Sequence, residues 1–97
     1  MQYNFEWDPS KAKENLRKHK ISFENASEVF LDPFMSSIED EEHSEEEDRW
    51  VTLGRDKKSS LLIVIHTFRE IDEDNSNVRL ISARKATKSE SKQYSMR

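Results

Sequence analysis

The sequence of 97 residues contains no cysteine, one glycine and two prolines. The absence of cysteine excludes a disulfide framework, a zinc site built on thiolates and a cysteine nucleophile. A single glycine, Gly54, excludes the glycine-rich loops that hold phosphates in P-loop and dinucleotide-binding proteins. The composition therefore predicts a protein of the reducing cytoplasm that uses no nucleotide cofactor.

Long apolar runs are also missing, and we expect no signal peptide. No apolar run approaches the 18 residues of a membrane span, and Met1–Pro9 carries acids where a signal peptide would be basic and then apolar. Hydrophobic residues make up 33% of the chain and charged residues 37%, and chains of this length rarely hold two cores. We therefore expect a single domain over residues 1–97.

The net charge of −4 hides two regions of opposite sign. Eight of the twenty acids lie between positions 39 and 48, and the rest of the chain has a net charge of +4. From Asn75 to Arg97, six basic residues face one acid, Glu90. A basic carboxyl-terminal region suits a polyanion partner, although a solvated, salt-bridged surface explains the same charges.

Short-range patterns predict one strand and two helices in the first third of the chain. Tyr3–Trp7 alternates aromatic and polar residues, which is typical of a half-buried strand. Asp8 can cap a helix that runs to about Lys20, and Ser22 can cap a second helix that ends before Pro33.

The rest of the chain predicts strands separated by polar turns. Four strands are expected, at Phe34–Ile38, Trp50–Arg55, Leu61–Phe68 and Val78–Ala83. The successive turns imply antiparallel pairing, and Thr87 to Glu90 has the spacing of a capping box. The predicted fold is therefore α+β: strand, helix, helix, a four-stranded antiparallel meander and a short C-terminal helix.

The strand at Leu61–Phe68 carries the first candidate for chemistry, His66. Regular alternation on the next strand places two sets on opposite faces: Leu80, Ser82 and Arg84, and Arg79, Ile81 and Ala83. Metal-free RNA cleavage needs a group that moves protons and cations that stabilise the phosphorane, which histidine and arginine supply. A hydrogen-bonded strand histidine with packing arginines explains the same residues.

Two further polar groups have more than one interpretation. The acidic run contains possible metal ligands, namely Asp40, Glu41, Glu42, His43 and Glu46, but it matches no ligand motif and we do not expect a metal site. Its charge would repel phosphates, so we expect it to lie off an RNA path or to meet a basic partner protein. Lys18 and His19 can stabilise a helix terminus or bind phosphates.

Short motifs extend over most of the chain. In the first third they are Phe5-Glu6-Trp7-Asp8, Lys11, Asn15, Lys18-His19, Ile21-Ser22-Phe23, Ala26, Val29-Phe30 and Asp32-Pro33. Further along they are His43-Ser44, Glu47, Arg49-Trp50, Gly54, His66-Thr67, Arg79, Ile81-Ser82-Ala83-Arg84, Ala86 and Glu90. In order and spacing these motifs resemble the BrnT family of small ribonuclease toxins from bacterial toxin–antitoxin pairs.

The resemblance implies a RelE-like fold, RNA cleavage without a metal or other cofactor, and neutralisation by a BrnA-type antitoxin that also binds operator DNA. By position it implies His66, Arg79 and Arg84 as catalytic residues, and Lys18, His19 and Arg49 as RNA-binding residues. We assign His66 as general acid or base, the two strand arginines as phosphorane stabilisers, and Lys18 with His19 as binders of flanking phosphates.

The sequence departs from the family pattern at two places. Lys20 replaces the glycine that usually follows Lys-His, so the left-handed helix cap must be made by a strained lysine or replaced. The stretch from Ile71 to Asn77 predicts an unusually long hairpin tip.

Two other functions compete with the ribonuclease toxin. One is a non-catalytic subunit that binds the antitoxin and acts as co-repressor of its operon. The other is a free-standing nucleic-acid-binding module, which the missing aromatic-basic signature of RNA-binding sheets disfavours.

Overall fold

The computed structural model describes residues 2–43 and 48–95. Within them, five strands form one sheet: β1 Gln2–Glu6, β2 Ser36–Glu39, β3 Arg49–Arg55, β4 Leu61–Glu70 and β5 Asn75–Lys85. The three α-helices are α1 Pro9–His19, α2 Phe23–Ser27 and α3 Lys88–Ser95, and α2 continues as a 3₁₀ turn over Glu28–Leu31. This content confirms the predicted α+β class. No helix among the described residues is long and apolar enough to cross a membrane.

The strand order is β1-β5-β4-β3-β2. Strands β2 to β5 pair antiparallel in succession, whereas β1 pairs in parallel with the first half of β5, from Asn75 to Arg79. The acidic run joins β2 to β3 and contains a second 3₁₀ turn, Glu41–His43. The two outer strands are therefore β1 and β2, and β5 lacks a strand neighbour beyond β1 among the described residues.

Local capping explains the ends of the helices. Asp8 accepts a hydrogen bond from the Ser10 amide at the start of α1, and Ser22 accepts one from the Asn25 amide at the start of α2. Lys20 closes α1 with φ 60°, in the left-handed region, and its amide donates to the Leu16 carbonyl. The lysine therefore makes the cap itself and takes on the strain that glycine would avoid.

The core lies between α1, α2 and one side of the sheet, here called the helix face. Its buried members come from the α1–α2 connection, α2, the 3₁₀ turn, β4 and β5: Ile21, Phe23, Ala26, Val29, Phe30, Leu62, Val64, Val78, Leu80 and Ala83. Gly54 also faces this core, where an added Cβ would lie 2.7 Å from Cγ1 of Val29. A residue without a side chain therefore allows β3 and the 3₁₀ turn to approach this closely at Gly54.

A β-bulge interrupts the pairing of β4 with β5. Leu80 pairs with His66 and Ser82 pairs with Ile65, so Ile81 has no partner of its own on β4. One extra residue shifts the alternation of side chains, and residues on the two sides of the bulge follow different phases. Regular alternation along β5 therefore fails at Ile81.

The bulge changes the predicted faces of β5. Leu80 and Ala83 both pack into the core, although they are three residues apart. Arg79, Ser82 and Arg84 pair with Thr67, Ile65 and Ile63, which alternate with the core residues of β4 and so share the opposite face. The prediction that Ser82 and Arg84 share a face is confirmed, whereas placing Leu80 with them and Arg79 opposite them is wrong.

The hairpin between β4 and β5 is shorter than predicted. Its tip comprises residues 71–74, because β5 begins at Asn75 rather than at Val78. Asp72 accepts hydrogen bonds from the amides of Asp74 and Asn75, which closes the turn. The polar residues 75–77 form strand because β1 pairs with all three and β4 pairs with residues 76 and 77.

Asn15 closes the part of β5 that β1 leaves uncovered. Its side chain donates to the Ala83 carbonyl and accepts from the Ala83 amide, both at 2.9 Å, as a neighbouring strand would. The same amide group also donates to the Ile21 carbonyl at 2.9 Å, and the residue is 4% exposed. One buried side chain therefore anchors α1 to the edge of the sheet.

Candidate active site at the free edge of β5

The side of the sheet opposite the core carries Arg49, Arg79 and Arg84 and is here called the arginine face. Arg49 pairs with Thr67, which in turn pairs with Arg79, so the three residues form one row across β3, β4 and β5. Two strand spacings separate the backbones of the two arginines by about 10 Å. The register therefore places a predicted RNA-binding residue and a predicted catalytic residue on the same face.

Arg84 lies further along β5 and forms an ion pair with α3. Its Nη1 and Nη2 donate to Oε1 and Oε2 of Glu90 at 2.8 and 2.9 Å. These bonds hold the pKa of Glu90 at about 2, against the opposing effect of burial and with help from the Thr87 amide, and raise the pKa of Arg84. The Arg84 side chain remains 41% exposed, so it is a fixed cation that solvent still reaches.

The position of α3 is set at both of its ends. At its start the Thr87 amide donates to Glu90 Oε1 at 2.8 Å, and the Glu90 amide donates to Thr87 Oγ1 at 3.2 Å, which confirms the predicted capping box. Near its end the Tyr94 hydroxyl donates to Asp32 at 2.6 Å, and the Arg55 guanidinium lies 5.0 Å from the Tyr94 ring. Glu90 is therefore a fixed partner for Arg84.

A pocket of about 180 Å³ lies where α1 runs past the free edge of β5. It is lined by Lys11, Glu14, Asn15, Lys18, His19, Ile81 and Ser82. Lys18 forms an ion pair with Glu14 at 3.2 Å, which lowers the pKa of that carboxyl. A larger groove of about 420 Å³ lies between α1 and α2 but is not lined by β5. The smaller pocket joins the predicted phosphate binders Lys18 and His19 to Ser82.

His66 lies on the helix face and is 1% exposed. Its Nδ1 donates to the Thr67 carbonyl at 3.0 Å, because a carbonyl oxygen carries no proton of its own. Burial lowers the pKa of the imidazole, and this hydrogen bond offsets part of that effect. The ring is therefore neutral, and Nε2 is left to accept a hydrogen bond.

A chain of hydroxyl groups connects His66 to the edge of the sheet. Thr52 Oγ1 lies 2.6 Å from His66 Nε2 and 2.6 Å from Ser37 Oγ. Since Nε2 accepts, Thr52 donates to it and Ser37 donates to Thr52. The Phe30 ring packs against the imidazole in an edge-to-face contact, with ring centroids 4.9 Å apart. These contacts tie β2, β3 and β4 together on the helix face.

Five of the six predicted site residues lie on the arginine face or beside the free edge of β5, and the sixth is separate from them. Arg49, Arg79 and Arg84 share the arginine face, and Lys18 and His19 lie across the free edge beside Ser82. His66 is buried on the opposite face among Phe30, Thr52 and Thr67. Sequence reasoning missed Ser82 and Glu90 as site residues, although both lie within the recognised motifs.

The possible metal ligands of the acidic run fall partly outside the described residues, since Glu46 and the side chain of His43 are not described. Among the side chains that are described, no group of three or more metal-binding residues lies close enough to hold an ion.

Comparisons with known proteins identify the family. The profile described as "Ribonuclease toxin, BrnT, of type II toxin-antitoxin system" matches residues 7–90. The fold is similar to the 1.1 Å crystal structure of the Brucella abortus ribonuclease toxin BrnT, with a TM-score of 0.60 and 21% identity over 91% of this chain and 100% of that one. No curated protein is similar enough in sequence to match. With a family profile spanning most of its length, the chain belongs to the BrnT family of toxins of type II toxin–antitoxin systems.

Proposed function

We propose that this toxin is a metal-independent endoribonuclease of RelE-like architecture that acts in the cytoplasm and inhibits translation and growth. One observation carries the proposal: Ser82 belongs both to the face that carries Arg79 and Arg84 and to the pocket that Lys18 and His19 line. Basic residues from a strand and from a helix end therefore surround one short stretch of backbone, where an RNA phosphate fits.

The arginines supply the charge stabilisation that the reaction needs. Attack of the 2′-oxygen on phosphorus gives a phosphorane with more negative charge than the ground state, and fixed cations stabilise that charge. Glu90 holds the Arg84 guanidinium by its two terminal nitrogens, so its geometry is set before RNA binds. Arg79 and Arg49 extend the same face toward flanking phosphates.

Proton transfer is assigned to His19 in this proposal. Breaking the 2′ O–H bond and protonating the leaving 5′-oxygen require an accessible group that both accepts and donates protons, and imidazole is suited to both. His19 is exposed and lines the pocket beside Ser82, whereas His66 is buried on the other face. His66 acts as a positioning residue that fixes the sheet, and Lys18 binds a phosphate next to the cleaved one.

The type II family implies a protein antitoxin as partner. We propose a BrnA-type antitoxin that blocks RNA access and carries the pair to operator DNA, so that this chain meets DNA only through the complex.

The test is cleavage of a radiolabelled RNA by the purified toxin in excess chelator, with and without the antitoxin. We expect cleavage in chelator that the antitoxin abolishes, and a loss of about 100-fold in His19→Gln, which keeps a polar side chain but cannot transfer protons. The matched variant His66→Gln should keep cleavage within about 10-fold once it is shown to be folded.

Three results would contradict different parts of the ribonuclease proposal. Cleavage that needs a divalent ion would refute metal independence. If His66→Gln loses cleavage while His19→Gln keeps it, the proton transfer belongs to His66. A folded protein that binds antitoxin and represses its operon but cuts no RNA would be the non-catalytic subunit.

A further inference from the structure

The outer edge of β2 has backbone groups that point away from the sheet. The Asp40 amide donates to the Arg49 carbonyl at 2.7 Å, so residue 40 faces β3 with its hydrogen-bonding groups. In an antiparallel pair this orientation alternates, and the N–H and C=O groups of Ser37 and Glu39 therefore point outward. No strand covers this edge in the described part of the chain. The edge can accept another strand.

The same edge is strongly acidic. Glu39 ends β2, and the connection that follows contains Asp40, Glu41 and Glu42 before the chain returns through Asp48. Glu39, Glu41, Glu42 and Asp48 are exposed. Phosphates are repelled by such a surface and basic side chains are attracted to it. Ile38, which is 65% exposed, adds an apolar contact on the edge strand.

An aromatic pocket of about 210 Å³ opens beside this edge on the helix face. Its lining comprises Tyr3, Phe30, Met35, Ser37, Trp50, His66 and Phe68. Tyr3 and Phe30 meet with ring centroids 5.4 Å apart, and Trp50 and Phe68 meet edge to face at 6.3 Å. Aromatic faces that enclose a small volume favour a cationic or flat side chain over a phosphate.

The polar end of the pocket presents an acceptor. Ser37 donates its hydroxyl proton to Thr52, which donates to the neutral His66. The remaining lone pairs of Ser37 therefore favour a ligand that donates a hydrogen bond. His66 adds no positive charge that would repel a cation.

We propose that the outer edge of β2 binds an extended basic segment of the antitoxin, which adds as a sixth strand and inserts one lysine or arginine side chain into the pocket of Tyr3, Trp50 and Phe68. Three features carry this proposal: the outward backbone of Ser37 and Glu39, the acidic connection, and an aromatic pocket with an acceptor at its end. This inference rests on the proposed toxin–antitoxin function and adds the surface by which the toxin binds its antitoxin.

The first test reverses the charge of the edge in the full-length toxin. Glu39→Lys, Glu41→Lys and Glu42→Lys are combined, and affinity for the antitoxin of the same pair is measured by isothermal titration. We expect affinity to fall about 100-fold or more, because like charges then face each other. The control combines Glu70→Lys, Glu73→Lys and Asp74→Lys, which change the net charge equally at the β4–β5 hairpin, and should lose less than about 3-fold.

The second test addresses the pocket and the added strand. Trp50→Leu keeps an apolar wall but removes its π face, and we expect about 10-fold weaker antitoxin binding. Phe34→Leu makes the same kind of change on an aromatic residue outside the pocket and should leave affinity within about 2-fold. Hydrogen exchange of the Ser37 and Glu39 amides should slow at least about 10-fold in the complex if a strand covers them.

The outcomes separate this proposal from the ribonuclease proposal. Equal affinity losses in the two charge-reversed proteins, or unchanged exchange at Ser37 and Glu39, would overturn the docking surface. A loss of RNA cleavage by the edge variant without antitoxin would assign the edge to RNA instead. A toxin that cuts no RNA but loses antitoxin only through the edge variant would refute ribonuclease activity and support this interface.

Discussion

The half of β5 that β1 leaves uncovered and the outer edge of β2 differ in their backbone contacts and carry charge of opposite sign. At the β5 side, Asn15 hydrogen-bonds to both backbone groups of Ala83, Lys18 and His19 line the pocket beside the edge, and Arg84 follows Ala83 along the strand. At the β2 side, the hydroxyl groups of Ser37 and Thr52 hold the strand to β3, no strand of the described residues covers the outer backbone, and acidic residues follow directly. The same small sheet thus keeps a region suited to an anion apart from a region suited to a basic chain.

The largest effect on stability should come from removing the Asn15 side chain, which pairs with the edge of β5. Asn15→Ala leaves the Ala83 amide and carbonyl and the Ile21 carbonyl without their partners in a buried region, and we expect a loss of about 4 kcal/mol in the free energy of unfolding. Urea titration measures it, with Asn25→Ala on α2 as a control that should cost less than about 1 kcal/mol. A loss below about 1 kcal/mol in Asn15→Ala would mean that water replaces the amide.

RNA cleavage should depend on the guanidinium of Arg84, which Glu90 holds in place. Arg84→Ala should lower the rate of RNA cleavage about 100-fold, roughly 3 kcal/mol, because a preorganised cation is lost from the phosphorane. The control is Arg55→Ala, which removes a guanidinium that also contacts α3, through Tyr94, and should change cleavage less than about 3-fold. Equal losses in the two variants would show that α3, rather than the Arg84 charge, is what cleavage requires.

The stability that the His66–Thr52–Ser37 hydrogen bonds give to the β2 side of the sheet should depend on pH. Folding lowers the pKa of His66, so the unfolded chain binds its proton first as pH falls below the ordinary value of 6.5. The folded protein should therefore lose stability as pH falls from 7.5 toward about 5. Protonation of Nε2 also makes it a donor, which forces the Thr52 hydroxyl to turn.

The measurement is the free energy of unfolding at several pH values for the wild type and His66→Gln. The variant should be less stable at neutral pH but show a smaller decline on acidification. Curves that decline in parallel would exclude His66 as the titrating group in this range.

The smallest effect concerns the helix that carries Glu90. Thr87→Ala should cost about 1 kcal/mol, because the Glu90 amide loses its hydroxyl partner while the Arg84–Glu90 pair remains. Thr87→Ser keeps the hydroxyl and should restore most of this loss. An unshifted urea midpoint in the alanine variant would mean that water caps α3 equally well.

Local signals in the sequence predict those parts of the fold that depend on neighbouring residues. Asp8, Ser22 and the Thr87–Glu90 box cap helices as predicted, because each bonds within three residues along the chain. The start of β5 is different, since residues 75–77 are polar and become strand only through pairing with β1 and β4. Pairing with other strands therefore determines where β5 begins, whereas the polar composition of these residues predicts a turn.

The candidate site shows the same limit. Lys18, His19 and the three arginines are residue types that the sequence displays. Their positions depend on the strand register, which places the arginines on one face, and on the path of α1 past the edge of β5, which places Lys18 and His19. His66 has the residue type of a catalyst, but its burial follows from contacts with Phe30 and Thr52, which are 36 and 14 positions away. Asn15 reaches 68 positions along the chain to Ala83, and no local pattern indicates that contact.

The unpaired residue Ile81 sets which face of the sheet each side chain in the second half of β5 occupies. If Ile81 instead paired with Ile65 in regular register, each residue after it would move one position along β4, so Ala83 would lie opposite Ile63 and Arg84 opposite Leu62. The guanidinium would then enter the core, and the alanine methyl group would lie on the arginine face. The bulge therefore decides which side of the sheet carries the charge of Arg84.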